Sequence, residues 1–354
     1  MSEFIQLHFL TPYPPANLNR DDMGRPKTAM FGGSQRLRVS SQSLKRAWRT
    51  SEAFFKVLEG HNGTRTKDLG NWLFDKLHEG LGDKADEAAK QLAGRYGALK
   101  SPKKGDANFE KLSRQNETLT FYSPDELRAL DELAVKLVTE KRAPTKEEVE
   151  RFPMPGKGAA DISLFGRMLA DSPKHNVEAA TQVAHALSVH RVTVEDDFFT
   201  AVDDLNKHDE DAGAGHMGNT EFAAGLFYEY VCIDRGLLLK NLDGNEALAK
   251  DTLRALGTAC LTVSPSGKKN SFASMARAEY ALVERGPQQP RSLVTSFLQA
   301  IDGGTYLTSA ISALRTTRDN LDRAYGKCSD SNYELDVPGK TGTLAELIDF
   351  MAKA

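Results

Sequence analysis

The sequence predicts an α+β fold, and three observations carry the prediction: an alternating strand near the N-terminus, a charged helical middle, and an aromatic, β-rich stretch that doubles back. In the first, Phe4 to Leu10 places Ile5, Leu7 and Phe9 on one face and Gln6 and His8 on the other. A loop rich in Pro and Asn follows, then Gly32-Gly33, a short strand through Leu37 and Val39, and a helix from Ser40-Ser41 to about Leu58. From about residue 62 to 160 the chain is charged and helical. Ser123-Pro124-Asp125-Glu126 is a capping-box start with Pro at the first helical position. The helix it opens carries Leu127, Leu130, Leu133, Ala134 and Leu137 on one face. Thr145 with Glu148 repeats the start signal, and the segments KSPKKGD and FPMPGKGAAD read as loops, so this region reads as a helical insertion into a β-containing framework. Downstream, EDDFFTAVDDL, a polar tip (NKHDEDAGAGHMGN) and the return FAAGLFYEYVCI suggest a long hairpin-like projection. The remainder reads as a helix from Asn245 to Leu261, a strand around Phe272 to Val283, and helices to the C-terminus.

The 354 residues are 40% hydrophobic and 27% charged, which suits one large core or two smaller ones. Cys232, Cys260 and Cys328 are odd in number and widely spaced. That fits a reducing compartment and argues against a disulfide framework or a structural zinc site. No secretory signal is visible, and no run approaches the roughly 20 apolar residues that span a bilayer, so a soluble, cytoplasmic protein without a membrane partner is expected.

A formal charge of −3 does not announce a nucleic-acid binder, but its distribution does. Between Met23 and Ser51 there is no Asp or Glu, while Arg25, Lys27, Arg36, Arg38, Lys45, Arg46 and Arg49 give that window +7. Such a local field attracts phosphates and releases their counterions. At about 100° per residue, Gln42, Lys45, Arg46 and Arg49 share one helix face, opposite an apolar stripe of Leu44, Ala47, Trp48, Phe54, Phe55 and Leu58. A merely solvated face usually carries compensating acids one turn away, and none appears before Glu52. The Ser-rich helix start adds backbone N–H groups suited to an anion, and Gly32-Gly33 permits close backbone approach. The pattern points to phosphate contacts; base reading by stacking is not indicated, because no dense aromatic RNA-binding motif is present.

The block LNRDDMGRPKTAMFGGSQRLRVSSQSLKRAWR closely resembles the N-terminal signature of the CasC-type backbone subunit of the type I-E CRISPR Cascade complex. The resemblance resumes in DISLFGRMLADS, in VEAATQVAHALSVHRV and in DDFFTAVDDL…GHMGNTEFAAGLFYEY, and is weak between about 60 and 155. It implies a hand-shaped protein with an RRM-like (ferredoxin-like) palm at 1–60, 161–190 and 229–354, helical fingers at 61–160, and a β-hairpin thumb at 191–228. It further implies a non-catalytic subunit without cofactor that stacks with copies of itself along a CRISPR guide RNA, beside other Cascade subunits. The thumb kinks the guide and flips a base at intervals, leaving segments free to pair with target DNA. Carried onto this sequence, Arg20, Lys27, Ser40, Gln42, Lys45 and Arg49 would grip phosphates, joined by Arg38 and Arg46 from the basic window. Met168 would wedge beside the kinked nucleotide, and Asp22, Phe199 and Met217 would surround the displaced base. On spacing alone Met168 and Phe199 read as core residues, and Asp22 as bonding its own turn.

Other motifs are weaker. GAGHMG at 213–218 has the G-x-G-x-x-G spacing but follows acidic residues and leads into β-like sequence, so a dinucleotide site is rejected. His208, Asp209, Asp211 and His216 read as a solvated loop tip, not a metal site. Lys268-Lys269 reads equally as a minor phosphate contact or a surface loop. Two alternatives stay open: a metal-dependent endoribonuclease using Asp203, Asp204 or the acidic tip, and a phosphate-ligand enzyme using the basic helix alone.

Overall fold

The alternation near the N-terminus becomes a 13-residue strand, β1 (Phe4–Ala16). In the computed structural model, which describes residues 3–201 and 216–353, it lies inside a nine-stranded sheet. The other strands are β2 (Thr28–Phe31), β3 (Ser34–Val39), β4 (Thr181–Val183), β5 (Ala186–Ser188), β6 (Glu195–Ala201), β7 (His216–Asp234), β8 (Tyr280–Gly286) and β9 (Ser331–Asp336). Their order is β9-β8-β1-β7-β5-β3-β2, with β4 and β6 also pairing with β7. The pairs β1·β8, β8·β9, β2·β3, β3·β5, β5·β7 and β6·β7 are antiparallel. The expected α+β class is therefore observed. Two expectations shift: Phe272 closes a one-turn helix (Lys269–Phe272) and its strand begins only at Tyr280, while β9 interrupts the C-terminal helices.

Chain contacts define two compact units, Met1–Phe54 with Gln182–Ile233 and Leu253–Ala354, and Phe55–Thr181 with Asp234–Thr252. In the first unit, both faces of β1 are covered, because it is a central strand. Ile5, Leu7 and Phe9 are buried as expected, yet Gln6 and His8 on the opposite face are buried too. That face meets Val294–Phe297 and the helix Tyr306–Tyr325 through Leu10, Tyr228, Leu282, Phe297 and Ile311. A chain of polar contacts runs through it. The Tyr228 hydroxyl lies 2.9 Å from His8 Nδ1, His8 Nε2 lies 3.2 Å from Glu284, and Arg291 donates to Glu284 at 2.9 Å. Burial pushes the Glu284 carboxyl up, but the bonds from His8 and Arg291 outweigh it and hold it at about 2.

The second unit is mainly helical. The helices Leu69–Leu81, Lys84–Gly94 and Pro124–Glu140 bury Leu73, Leu77, Leu92, Leu130 and Leu137 against one another. Both expected capping boxes form: Ser123 Oγ accepts from the Glu126 N–H, and Thr145 Oγ1 from the Glu148 N–H. Tyr96 and Tyr122 meet edge-on with centroids 4.8 Å apart, which ties the helices to the small antiparallel pair Thr64–Thr66 and Thr120–Tyr122.

Glu229 on β7 is a buried carboxyl with little to balance its burial. Its Oε1 has no partner among the described residues. Burial pushes its carboxyl up to about 8, opposed only by the Thr11 hydroxyl. The folded protein thus keeps this proton over a range where the unfolded chain has lost it. Stability from this group is greatest below the ordinary carboxyl pKa, falls as pH rises, and levels off above about pH 8. Glu229→Gln is expected to stabilise the protein by roughly 1–3 kcal/mol at the alkaline end and to flatten the fall, as read by urea unfolding at several pH values.

Candidate nucleic-acid interface

The basic helix, α1 (Ser41–Arg49), works by its two faces. Leu44 and Trp48 are buried, and the Trp48 ring tilts against Phe9 of β1 at 6.5 Å. With that side fixed, Gln42 and Arg46 are exposed and Lys45 and Arg49 half-buried. Burial of its stem pulls the Lys45 ammonium below its usual range. No acid sits in the first turn, and Arg46 and Arg49 in the last turn complement the negative end of the helix dipole. The helix is shorter than its expected span to Leu58. Thr50 Oγ1 donates to the Arg46 carbonyl, and Ser51 Oγ donates to the Trp48 carbonyl while accepting from the Phe54 N–H. These hydroxyls compete for helix backbone groups, and a separate turn, Glu52–Phe55, follows. Phe54 and Leu58 are buried as expected; Ala47 is only half-buried, and Phe55 is exposed.

One residue that sequence reasoning passed over, Asn19, organises the approach to α1. Its carbonyl accepts from the Lys27 N–H at 2.8 Å, and its Oδ1 accepts from the Ser40 N–H at 2.9 Å. Arg20 bridges Pro26 across the same loop, and the Arg38 N–H donates to the Lys27 carbonyl. Arg20, Lys27, Arg38 and Ser40 are thereby brought to the start of the helix. The Ser40 side chain makes no capping bond, although the residue stands at the N-cap. Asp22 is exposed; its neighbour Asp21 closes the turn, accepting from the N–H groups of Met23 and Arg25.

Two members of the basic window are engaged within this chain, Arg36 in the interior and Arg25 at the surface. Arg36 is fully buried and donates to the carbonyls of Ser188 and Phe297, which satisfy its guanidinium in the interior. Arg25 pairs with Glu221 at 3.0 Å. Gly32 is likewise structural. Its φ of +57° suits the β2–β3 turn, and a Cβ there would lie 1.5 Å from the Leu298 carbonyl oxygen, so the close approach it permits is to this chain's own backbone.

Lys268 and Lys269 are exposed at the start of a short helix. The preceding Gly267 packs so tightly on the base of the Asn19 loop that a Cβ would lie 2.1 Å from the Leu18 carbonyl oxygen. Lys269 and Arg277 line a cleft of about 580 Å³ whose other wall holds Thr50 and Ser51 at the end of α1. The minor lysine pair therefore borders both the loop and the helix.

The hairpin expected downstream is present as a two-stranded ribbon, with β6 exposed along its length. Phe199 stands opposite Gly218, and a Cβ on Gly218 would fall 2.4 Å from the Phe199 ring. Met217 stands opposite Thr200. Adjacent register positions point to opposite faces, so Phe199 and Met217 do not share a surface. Phe198 shares one with Met217 instead, and both are exposed. Asp203, Asp204, His208, Asp209, Asp211 and the side chain of His216 lie outside the described residues.

Met168 belongs to the second unit and is 81% exposed, which removes its reading as a core residue. Its neighbours explain how. Arg167 is buried in an ion pair with Glu126 at 2.6 Å and donates to the carbonyls of Met154 and His175. The Leu169 N–H donates to Asn176, and Arg167 bridges Val177. With both flanks pinned, the thioether between them is held outward.

The family profile described as CT1975-like protein matches residues 5–346. The chain belongs to that family. The resemblance expected from the sequence is thus borne out. CT1975-like membership agrees with the solved structures: the chain is 31% identical to one described as "CRISPR RNA-guided surveillance complex, pre-nicking", covering 99% of each chain with a TM-score of 0.81. It is 27% identical to one described as "CRISPR RNA-guided surveillance complex", covering 99% of this chain and 98% of that one, with a TM-score of 0.63. No curated protein matches the chain. Among the described residues no helix is long and apolar enough to cross a membrane.

Within this CT1975-like chain, Glu126 has three tasks: it caps its own helix, accepts from the Met154 N–H, and neutralises Arg167. Glu126→Ala leaves the buried guanidinium uncompensated and is expected to cost about 3–5 kcal/mol in urea unfolding. Met168→Ala, at an exposed position, is expected to cost less than about 0.5 kcal/mol in the same measurement.

Proposed function

We propose that this chain is a guide-RNA-binding backbone subunit of a type I-E-like CRISPR surveillance complex, acting by holding RNA and not by cutting it. The observation that carries the reading is α1: an anchored helix whose outer face is cationic and lies in an acid-free window of a chain with net charge −3. Its likeness to chains of two RNA-guided surveillance complexes supports the same reading. In this reading the antiparallel sheet is an RRM-like palm, the helical unit the fingers, and the β6–β7 ribbon the thumb. Arg20, Lys27, Arg38, Ser40, Gln42, Lys45, Arg46 and Arg49 hold phosphates, with Lys268 and Lys269 at the margin. Arginine offers a planar fork to phosphate oxygens, whereas lysine acts as a point charge.

Met168 acts as an apolar wedge where the guide kinks. A displaced base meets Asp22 and the ribbon, with Phe199 on one face and Met217 beside Phe198 on the other. Copies of the chain stack along one guide, next to other complex subunits, and the bases between kinks pair with target DNA. Protein grips backbone, and base pairing reads sequence.

Lys45→Glu combined with Arg49→Glu is expected to leave a folded protein that loses RNA-bound assembly at moderate salt. Binding should weaken by about 100-fold or more, and the salt dependence should shallow by about two phosphate contacts. Undiminished RNA retention by the folded double variant would reject the proposal. Catalysis is tested separately: purified protein with guide, complementary RNA and magnesium is expected to give no specific cuts, whereas cuts lost on Asp204→Ala would establish the endoribonuclease.

A further inference from the structure

The first histidine in VAHALSVHRV, His185, has no part in the phosphate-binding set above, yet the sheet delivers it there. β3 and β5 pair with Arg38 opposite Leu187 and Val39 opposite Ala186, and continuing that register sets Ser40 opposite His185. Alternation then places Arg38, Ser40 and His185 on one side of the sheet edge. The Arg38 guanidinium donates to His185 Nδ1 at 2.9 Å. Arginine can only donate, so Nδ1 is unprotonated in this state and the ring's proton resides on Nε2. The imidazole is exposed, at the mouth of the Asn19-organised loop.

Two cation-forming side chains in direct contact have little reason to be together unless an anion joins them. We propose that His185 is a further member of the phosphate grip, and that it takes up a proton when an RNA phosphate seats between its ring and the Arg38 guanidinium. This rests on the guide-RNA reading and adds a ligand and a proton to it. The exchange balances simply. The Arg38–Nδ1 hydrogen bond breaks, one proton from solvent adds to Nδ1, and a phosphodiester oxygen accepts from both groups. The charged groups facing the ring are Arg38 from β3 and Lys27 from the adjoining loop; on the β7 side the neighbouring Ala184 N–H is bonded to the Tyr230 carbonyl. In the free protein partial desolvation first, then Arg38 and Lys27, hold the imidazole below its ordinary range, so the neutral form predominates near pH 7. A phosphate charge reverses the two electrostatic contributions. RNA binding should therefore tighten as pH falls, by about tenfold for each tenfold rise that RNA causes in the ring's proton affinity.

The test is calorimetry of the full chain with a short single-stranded oligoribonucleotide, in two buffers of different ionisation enthalpy, at about pH 6.5 and about pH 8. Wild type is expected to take up a sizeable fraction of a proton at the lower pH. His185→Gln, which retains an acceptor for Arg38, should bind at the higher pH within about threefold of wild type but lack that uptake. His185→Lys should bind tightly at both pH values without it. Thermal melts confirm that both variants are folded. Equal proton uptake by wild type and His185→Gln overturns this inference while leaving RNA binding standing. Absence of RNA binding by wild type at either pH overturns both.

Discussion

A nine-residue helix must satisfy two environments at once, and the candidate site depends on how it does so. Leu44 and Trp48 are held by the sheet, which fixes the rotation of α1 about its axis. That rotation alone decides that Lys45, Arg46 and Arg49 turn outward. Asn19 then fixes the helix start in position, because a single side chain and its own carbonyl hold Ser40 and Lys27 together. The cationic surface is thus a consequence of apolar packing on one side and two hydrogen bonds at one end. Charge alone would leave flexible side chains with no common geometry to match a sugar-phosphate chain.

The same logic recurs in the second unit. Met168 is largely exposed; the adjacent Arg167, paired with Glu126 and cross-bonded to Met154 and His175, turns it outward. A buried ion pair contributes little net stability, because desolvation offsets most of its Coulomb energy. It is directional, however, and here it fixes the course of a short segment with little regular structure.

Much of this was legible in the sequence, for identifiable reasons. Capping boxes at Ser123 and Thr145 are local chemistry, and they form as the residues predict. The amphipathic register of α1 is also local, within one or two turns. What escaped depends on long-range neighbours. Nothing in the spacing around Arg36 says that the carbonyls of Ser188 and Phe297 wait for it, and alternation with buried Leu37 would set it on the opposite face. Nothing near Met168 announces that its flanks are tied down. His185 is two positions from Leu187, a strand spacing, but its partner Arg38 lies 147 residues away. The end of α1 was mistaken because paired hydroxyls at Thr50 and Ser51 look like ordinary helix interior until their bonds to the preceding turn are seen.

Gly218 fixes the alignment of the β6–β7 ribbon. Phe198 and Phe199 are consecutive and chemically identical, so composition cannot tell the ribbon which aromatic belongs on which side. A slip of one residue would exchange them, setting Phe198 opposite Gly218 and Phe199 on the surface of Met217. The absent side chain at Gly218 leaves a hollow that only the directly opposing ring fills, and in the observed alignment that ring is Phe199. A missing methyl group thus acts as an alignment key, and the handedness of the ribbon's two aromatic surfaces is written in the one residue that contributes nothing to either.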